Sequence, residues 1–426
     1  MIRLFYNLLW PLGLLLFLPG YLLKMFRRGG YREKFGQRLG IYGPDLPTRL
    51  AVQQPLWLHA VSVGEVAIAF KLISAIQRLE PKTRFVLTIT TTTGFAFARQ
   101  RASPDIELMY APLDFWPVMH RAFNVIKPRK IILVEAEVWP NLAAEAHARK
   151  LPLALVNARL SPRSERRFRR FRTFVAPTFA LIDLVCVQEP EDIDRWSALG
   201  VSPGRIRHVG SIKYDQSDGE IDPTIPRSVL HEWNIDSERP ILFGGSTHPG
   251  EEEILGKIFG DLRAHFPNLF LIVAPRHVER ANNIRRTLEQ LGLRVVLRSQ
   301  PPETSLSPDC LVLDSTGELR NWYAVATAVF VGKSLAAHGG QNPVEAIAAG
   351  KPVVFGPNMQ NFDVLARSLI AQNGALQVDS AVGLQSAMKD LLRDSALRER
   401  LVKNARTVFD AHRGATDRTA KLIADL

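Results

Sequence analysis

Residues 56–70 read LWLHAVSVGEVAIAF: an apolar run ending at Ala60, a short turn through Ser62, Val63 and Gly64, then apolar residues at helical spacing. A buried strand passing into a helix through a tight glycine-bearing turn is the opening of a βαβ unit. The pattern repeats outward from this stretch. RFVLTIT (84–90), ELMYA (107–111), KIILVE (130–135) and PLALVN (152–157) are strand-like runs with helical stretches between them, including Trp139 to Arg149. A second series begins at PILFGGS (240–246) and continues through LFLIVAP (269–275), RVVLR (294–298), CLVLD (310–314), AVFVG (328–332) and PVVFG (352–356). This rhythm predicts an α/β protein with two Rossmann-like units in tandem, each a parallel sheet covered on both faces. The expected division is an amino-terminal anchor over 1–28, a first unit over 29–212, a linker over 213–227 and a second unit over 228–426. The linker, KYDQSDGEIDPTIPR, is polar, carries Gly and two Pro, and lacks a sustained apolar period. The stretch from Ala381 has apolar residues at helical spacing and is expected to pack back across the two units.

At about 150 residues per domain, 426 residues allow two or three domains, which excludes a disulfide miniprotein. Apolar residues make up 46% and charged residues 23%, so long disordered tracts are not expected. The 54 Lys and Arg against 42 Asp and Glu leave a net charge of +12, which points to acidic partners without choosing among phosphorylated lipid, nucleotide and nucleic acid. Cys186 and Cys310 are the two cysteines, both in apolar runs, which argues for a reducing compartment and against zinc modules.

Leu4 to Leu23 is free of charge, long enough to cross a bilayer core as a helix, and interrupted by Pro11, Gly13 and Pro19. Its carboxyl side carries Lys24, Arg27, Arg28, Arg32, Lys34 and Arg38, so the positive-inside bias places the rest of the chain in the cytoplasm. A spanning helix, a tilted interfacial anchor and a buried helix remain open. A cleaved signal peptide fits poorly, because no small-residue cleavage signal follows.

Glu65 sits on the first helical turn at the carboxyl end of a parallel strand, where such sheets bind ligands. A carboxylate there can take a proton from a hydroxyl, or can serve only the helix dipole. In VEAEVWPNL (134–142), Glu135 and Glu137 follow a strand, and alternation places both on one side of an extended segment; Glu135 could orient substrate or Lys213. NARLSPRSERRFRRFRTF (157–174) offers Arg163, Arg166, Arg167, Arg169 and Arg170 to phosphates or anionic headgroups, with Phe168, Phe171 and Phe174 on one face. A solvated helix with a core-facing Phe stripe is the other reading. Nucleic acid is not expected, because base-stacking modules and an RNA-binding signature are missing. In the second unit, GGSTHPGEEE (244–253), VAPRHVER (273–280) and STGEL (315–319) each follow a strand. The densest signal is VGKSLAAHGGQNPVEAIAAGKPVVFGP (331–357), where Gly339 and Gly340 permit close backbone approach. There Asn342 can cap, Pro343 suits the first helical position, and Glu345 can accept from a sugar hydroxyl, a grammar that suits a nucleotide-sugar.

Taken together, HAVSVGE, EAEVWPNL, NARLSPRS, GSIKYD, STHPGEE, PRHVER, GEL and GGQNPVEAIAAGKPVVFGP, in this order over nearly the whole chain, resemble the 3-deoxy-D-manno-octulosonic acid (Kdo) transferases. The resemblance implies a GT-B glycosyltransferase with two Rossmann-like domains facing a cleft and an amino-terminal membrane anchor. It implies CMP-Kdo as donor, an acylated phosphorylated lipid A precursor as acceptor, no cofactor or metal, and a place on the cytoplasmic face of the inner membrane. By the same resemblance Glu65 is the general base, and Glu135 and Lys213 stabilise developing charge. CMP contacts fall on Pro275, Arg276, Thr316, Gly317, Glu318, Asn342, Pro343, Val344 and Glu345. Ser62, Gly64 and the five arginines are candidates for acceptor or membrane contact. Two departures are Lys333, where the family has a second Gly, and Gln341, where His is common. The alternatives are a GT-B nucleotide-sugar epimerase, which needs neither anchor nor lipid, and a basic membrane scaffold without turnover.

Overall fold

The computed structural model describes the chain except residues 1–2, 5, 11–12, 14–19, 21–33, 52, 137, 216–220, 237 and 301–306. Glu137, residues 216–220 of the expected linker, and most of the expected anchor with Lys24, Arg27, Arg28 and Arg32 lie outside the described residues. Among the described residues no helix is long and apolar enough to cross a membrane. The chain divides into two compact units, Met1–Ser217 with His412–Leu426, and Asp218–Ala411.

The first unit is built on seven parallel strands, β1 (Leu56–Ala60), β2 (Phe85–Ile89), β3 (Ile106–Tyr110), β4 (Lys130–Val134), β5 (Leu153–Ala158), β6 (Leu184–Val187) and β7 (Ile206–His208), ordered β3-β2-β1-β4-β5-β6-β7. β1 and β2 are buried throughout and the central run of β4 is too, because helices cover both faces; the continuous apolar runs follow from that. Alternate residues of β1 serve different cores. Leu56, Leu58 and Ala60 pack with helix α1 (Val63–Leu79), and Trp57 packs on the other face against Phe123 and Met119. The chain returns to this unit at its end: helix Ala415–Ala424 lies on α1, with Ala420 and Ile423 in the same core as Leu72 and Ile76.

The second unit repeats the scheme with β8 (Ile241–Thr247), β9 (Phe270–Pro275), β10 (Val295–Leu297), β11 (Cys310–Val312), β12 (Ala328–Val331), β13 (Val353–Phe355) and β14 (Leu376–Gln377), ordered β10-β11-β9-β8-β12-β13-β14 and all parallel. In each sheet the order reverses at its first strand, between β1 and β4 and between β8 and β12. The crevice beyond the carboxyl ends of strands at such a reversal is where open α/β sheets bind ligands.

Candidate functional site

β1 delivers the SVGE turn to the reversal point of the first sheet. Ser62 is the N-cap of α1: its hydroxyl accepts from the Glu65 N–H (3.4 Å) and donates to Glu65 Oε1 (2.9 Å), while Glu65 Oε2 accepts the Val61 N–H (2.8 Å). The acid stands three residues after the cap, as in a capping box, but reaches back to the cap hydroxyl and to the N–H of the residue before it. Glu65 is buried with 8% of its surface exposed, and Val63 and Gly64 on the same turn are exposed. The carboxylate is therefore held in one place at the edge of solvent, by the turn that also starts the helix.

β4 ends beside β1, and Glu135 follows it directly. The extended segment expected to carry both acids stops at Val134: Glu135 bonds through its N–H to the Val156 carbonyl (2.9 Å) and turns into the left-handed region with φ 64°. Backbone of this kind in a non-glycine residue costs on the order of 1–3 kcal/mol. The negative charge of Glu135 acts on Lys213: burial lowers the pKa of that ammonium, Glu135 works against the lowering, and Arg159 adds to it. Glu65, Glu135 and Lys213 thus all follow strands at the carboxyl edge of the first sheet.

Lys213 lies in a braced segment. Asn157 Oδ1, at the end of β5, accepts the Ile212 N–H (2.9 Å), Lys71 Nζ on α1 donates to the carbonyls of Ile212 (3.1 Å) and Asp215 (2.7 Å), and the Ser211 N–H donates to His412 Nδ1 (3.2 Å). The Asp215 carboxylate accepts the N–H groups of Gly414 (3.0 Å) and Thr416 (2.7 Å), so it caps the last helix of the chain. Sequence reasoning missed Lys71, Asn157, Asp215 and His412 as supports. Asn157 and Asp215 stand inside quoted motifs and offered a faint signal; the contact with His412 spans 201 residues and has no local signature.

The arginine-rich stretch is two helices, α2 (Pro162–Arg170) and α3 (Arg172–Phe179), broken at Phe171. The expected single Phe face is divided by the break. Phe168 turns inward to meet Phe179 edge-on at 5.4 Å between centroids, while Phe171 and Phe174 are exposed. Arg163, Arg166, Arg167, Arg169 and Arg170 are all exposed on α2, with Arg169 paired to Glu165 (2.9 Å).

In the second unit the expected donor residues lie at the carboxyl ends of β9, β11 and β12. Pro275 closes β9 and is buried, and Arg276, exposed, donates its backbone N–H to the Thr247 carbonyl (3.1 Å). Thr316 and Gly317 form an exposed turn with Gly317 at φ 88°, and Glu318 accepts from the Ser315 hydroxyl (3.1 Å) and the Trp322 indole (3.2 Å). Asn342 Oδ1 accepts the Val344 N–H (3.1 Å), Pro343 is the N-cap of the short helix α4 (Val344–Ala348), and Glu345 falls in its first turn. Gln341 donates its side-chain amide to His248 Nε2 (3.1 Å), and burial keeps that imidazole below its ordinary pKa, in the neutral form that accepts.

The turn that begins at Lys333 encloses a carboxylate of the chain itself. Glu251, buried at the start of the helix after β8, accepts the N–H groups of Lys333 (2.8 Å), Ser334 (3.1 Å), Leu335 (3.2 Å) and Ala336 (3.4 Å), and also that of His248 (2.9 Å). The chain's own carboxylate fills this concavity of amides. Its neighbour Glu252 is fixed by both terminal nitrogens of Arg280 (2.9 and 3.1 Å).

A family model described as 3-deoxy-D-manno-octulosonic-acid transferase (kdotransferase) matches residues 33–216. The chain is 33% identical over 394 residues to the 3-deoxy-D-manno-octulosonic acid transferase of Haemophilus influenzae, covering 92% of this chain and 91% of that protein. It is 35% identical to the protein of the same name from Bordetella pertussis over 410 residues, covering 94% and 93%. Among solved structures, UDP-GlcNAc 2-epimerase from Neisseria meningitidis bound to UDP-GlcNAc shares the fold with a TM-score of 0.58 at 10% identity, over 87% of this chain and all of that one. The two parallel seven-stranded sheets are those of the GT-B fold. With relatives of this identity over nearly its whole length, the chain belongs to the family of 3-deoxy-D-manno-octulosonic acid (Kdo) transferases and is a glycosyltransferase.

Proposed function

We propose that this enzyme moves Kdo from CMP-Kdo to an acylated, phosphorylated lipid A precursor in lipopolysaccharide core biosynthesis, with inversion at the anomeric carbon and without a divalent ion. Glu65 takes the proton of the acceptor hydroxyl as its oxygen attacks the anomeric carbon from the face opposite CMP. The bond to the CMP phosphate oxygen breaks as the new glycosidic bond forms, and CMP leaves with the electron pair. General-base help of this kind is worth roughly 10²–10⁴-fold. Glu135 and Lys213 stabilise the charge that develops on the sugar. Arg276 and the backbone around Asn342, Pro343 and Val344 receive the departing phosphate, with Thr316, Gly317, Glu318 and Glu345 completing the nucleotide contacts.

The observation that carries this reading is the placement of Glu65 and Glu135 after adjacent strands at the reversal of the first sheet, with Lys213 in the electrostatic field of Glu135. The enzyme works at the cytoplasmic face of the inner membrane. The exposed arginines of α2 and the exposed Phe171 and Phe174 supply charge and apolar surface for anionic lipid. The amino-terminal segment adds an anchor that lies along the first unit at its start: Arg3 and Asn7 donate to Asn141 Oδ1 (3.0 and 2.9 Å).

The test is transfer from CMP-Kdo generated in place to a tetra-acyl lipid A precursor, with chelator present in the transfer step and the product weighed by mass spectrometry. Lipid heavier by one or more Kdo units is the expected result. Unchanged lipid, with folded protein that still binds CMP, refutes the acceptor.

A further inference from the structure

Glu65 and Lys213 belong to different pieces of the first unit, α1 and the turn over residues 211–215, and the proposed chemistry needs both at one reaction centre. The turn is built around its lysine. The N–H groups of Tyr214 (3.2 Å) and Asp215 (3.0 Å) close on the Ser211 carbonyl. Ser211, Ile212, Tyr214 and Asp215 are at most 3% exposed, while Lys213 among them is half-buried, so Lys213 is the residue through which the turn meets solvent.

The amides and the carbonyls of the turn are held from different directions. On the amide side the Ile212 N–H goes to Asn157 Oδ1 (2.9 Å), and that asparagine sits in an irregular stretch of β5, between Leu155 and Ala158, with φ 51°. The residue before it, Val156, accepts the Glu135 N–H (2.9 Å). Neighbouring residues of β5 therefore hold the loop of Glu135 and the turn of Lys213. On the carbonyl side Lys71 Nζ donates to Ile212 (3.1 Å) and to Asp215 (2.7 Å), one before Lys213 in the chain and one after it. An ammonium has three rotatable donors and no plane of its own, which suits two carbonyls that converge on one point.

Lys71 stands on the helix of the base. α1 carries Glu65 in its first turn and Lys71 six residues later, about 9 Å along the same rod. The apolar side of that rod packs against the turn: Val66, Ala69 and Ile73 share a core with Ile212. Apolar contact is non-directional, so it holds the turn against α1 without setting its register; the two bonds from Lys71 set it.

We infer that Lys71 is a positioning residue: by bonding carbonyls on either side of Lys213 it fixes that turn to the helix of Glu65, so that the charge-stabilising ammonium and the base keep one spacing. The inference rests on the proposed roles of Glu65 and Lys213, and in it Lys71 acts through Lys213.

The test compares Lys71→Met, which keeps an unbranched stem and removes the donors, with Lys71→Arg, which keeps donors. Lys71→Met should lower kcat for Kdo transfer roughly ten- to a hundredfold, the scale of a displacement of about 1 Å, with KM for CMP-Kdo and CMP affinity nearly unchanged. Lys71→Arg should recover part of the loss. In a Lys213→Ala background, itself slowed about 10²–10³-fold, Lys71→Met should change kcat by less than about twofold, because the group it positions is gone. Full kcat in Lys71→Met, or equal losses in the two backgrounds, overturns the inference. Amide exchange over residues 211–215, followed by mass spectrometry, needs no substrate: it should quicken about tenfold in Lys71→Met and stay near wild type in Lys71→Arg. Unchanged exchange in Lys71→Met also overturns the inference. Should Lys71→Met not fold, Lys71→Gln, shorter and uncharged, takes its place with the same expectations. Wild-type kcat in Lys213→Ala alone would defeat the proposed role of Lys213 and the inference with it. Quickened exchange in a protein that does not transfer Kdo to the lipid precursor would instead defeat the proposed acceptor and leave the clamp standing.

Discussion

The two units place a glutamate at the same topological point and treat it in opposite ways. Glu65 follows β1 and Glu251 follows β8, each in the first turn of the helix after the strand where its sheet order reverses. Across the reversal, the next strand in each unit is followed by a residue with positive φ, Glu135 after β4 and Lys333 after β12. In the second unit the loop beginning at Lys333 wraps its amides around Glu251, which is 1% exposed. In the first unit the corresponding loop brings a second acid, and the Glu65 carboxylate takes the Val61 N–H and the Ser62 hydroxyl of its own turn. One carboxylate became a structural anion inside its own fold; the other is oriented but left at the edge of solvent. Position at a switch point therefore does not make an acid catalytic.

The largest expected effect separates the two acids by activity. Glu65→Ala should lower transfer by roughly 10²–10⁴-fold while CMP affinity, read by calorimetry, stays close to wild type. A large loss of CMP binding in a folded Glu65→Ala protein would reverse its assignment. Glu251→Ala should act on stability instead: five backbone N–H groups lose one charged acceptor, and the urea midpoint of the second unit should drop by the equivalent of about 3 kcal/mol or more. If Glu251→Ala unfolds no more easily than wild type, the contrast between the acids collapses.

The same contrast shows what the sequence could disclose. Strands β1, β2, β4, β8 and β9 were legible because sheets covered on both faces need unbroken apolar runs. The edge strands β7 and β14 were not: Ile206–His208 and Leu376–Gln377 are short and partly exposed, so no run marks them. Glu65 and Glu135 were legible as acids after strands, since that is a local pattern. The engagement of Glu251 depends on a loop more than 80 residues further along, and the brace of Lys213 depends on His412, so neither leaves a spacing to read. The break at Phe171 was hidden because Phe and Arg alternate evenly through it, and helical spacing alone does not reveal a change of axis.

That break sharpens a membrane prediction. Replacing Arg166, Arg167, Arg169 and Arg170 by Gln should weaken binding to anionic vesicles by about 1 kcal/mol per arginine and flatten its salt dependence, measured by sedimentation at two ionic strengths. Unchanged binding would mean that α2 does not face lipid. A smaller effect concerns His59 and Asp114, which line one pocket on the Trp57 face of β1. Burial moves His59 down to about 4 and Asp114 up to about 6. As pH falls from about 6.5 to 4, an unfolded histidine takes up a proton that folded His59 refuses, which destabilises the fold. Over part of that range folded Asp114 takes up a proton more readily than the unfolded aspartate, which offsets the loss. Asp114→Asn removes the offset, so its urea midpoint should fall more steeply on acidification than that of wild type; parallel curves would show that Asp114 does not titrate in this window.

The smallest effect is the most discriminating for Glu65. Gly64 is the second residue of α1, its backbone is not left-handed, and a Cβ built there would meet nothing nearer than Ser62 Oγ at 3.8 Å. Among the described residues nothing requires glycine at this point, and alanine is the better helix former by up to about 1 kcal/mol. Gly64→Ala should therefore raise the melting temperature slightly. If the acceptor comes close over this turn to reach Glu65, the same methyl group stands in its path and kcat/KM for the lipid should fall while CMP affinity stays put. A gain in stability with undiminished transfer would place the acceptor elsewhere and return Glu65 to the role its hydrogen bonds already perform, the cap of a helix, as Glu251 is the anion of its own loop.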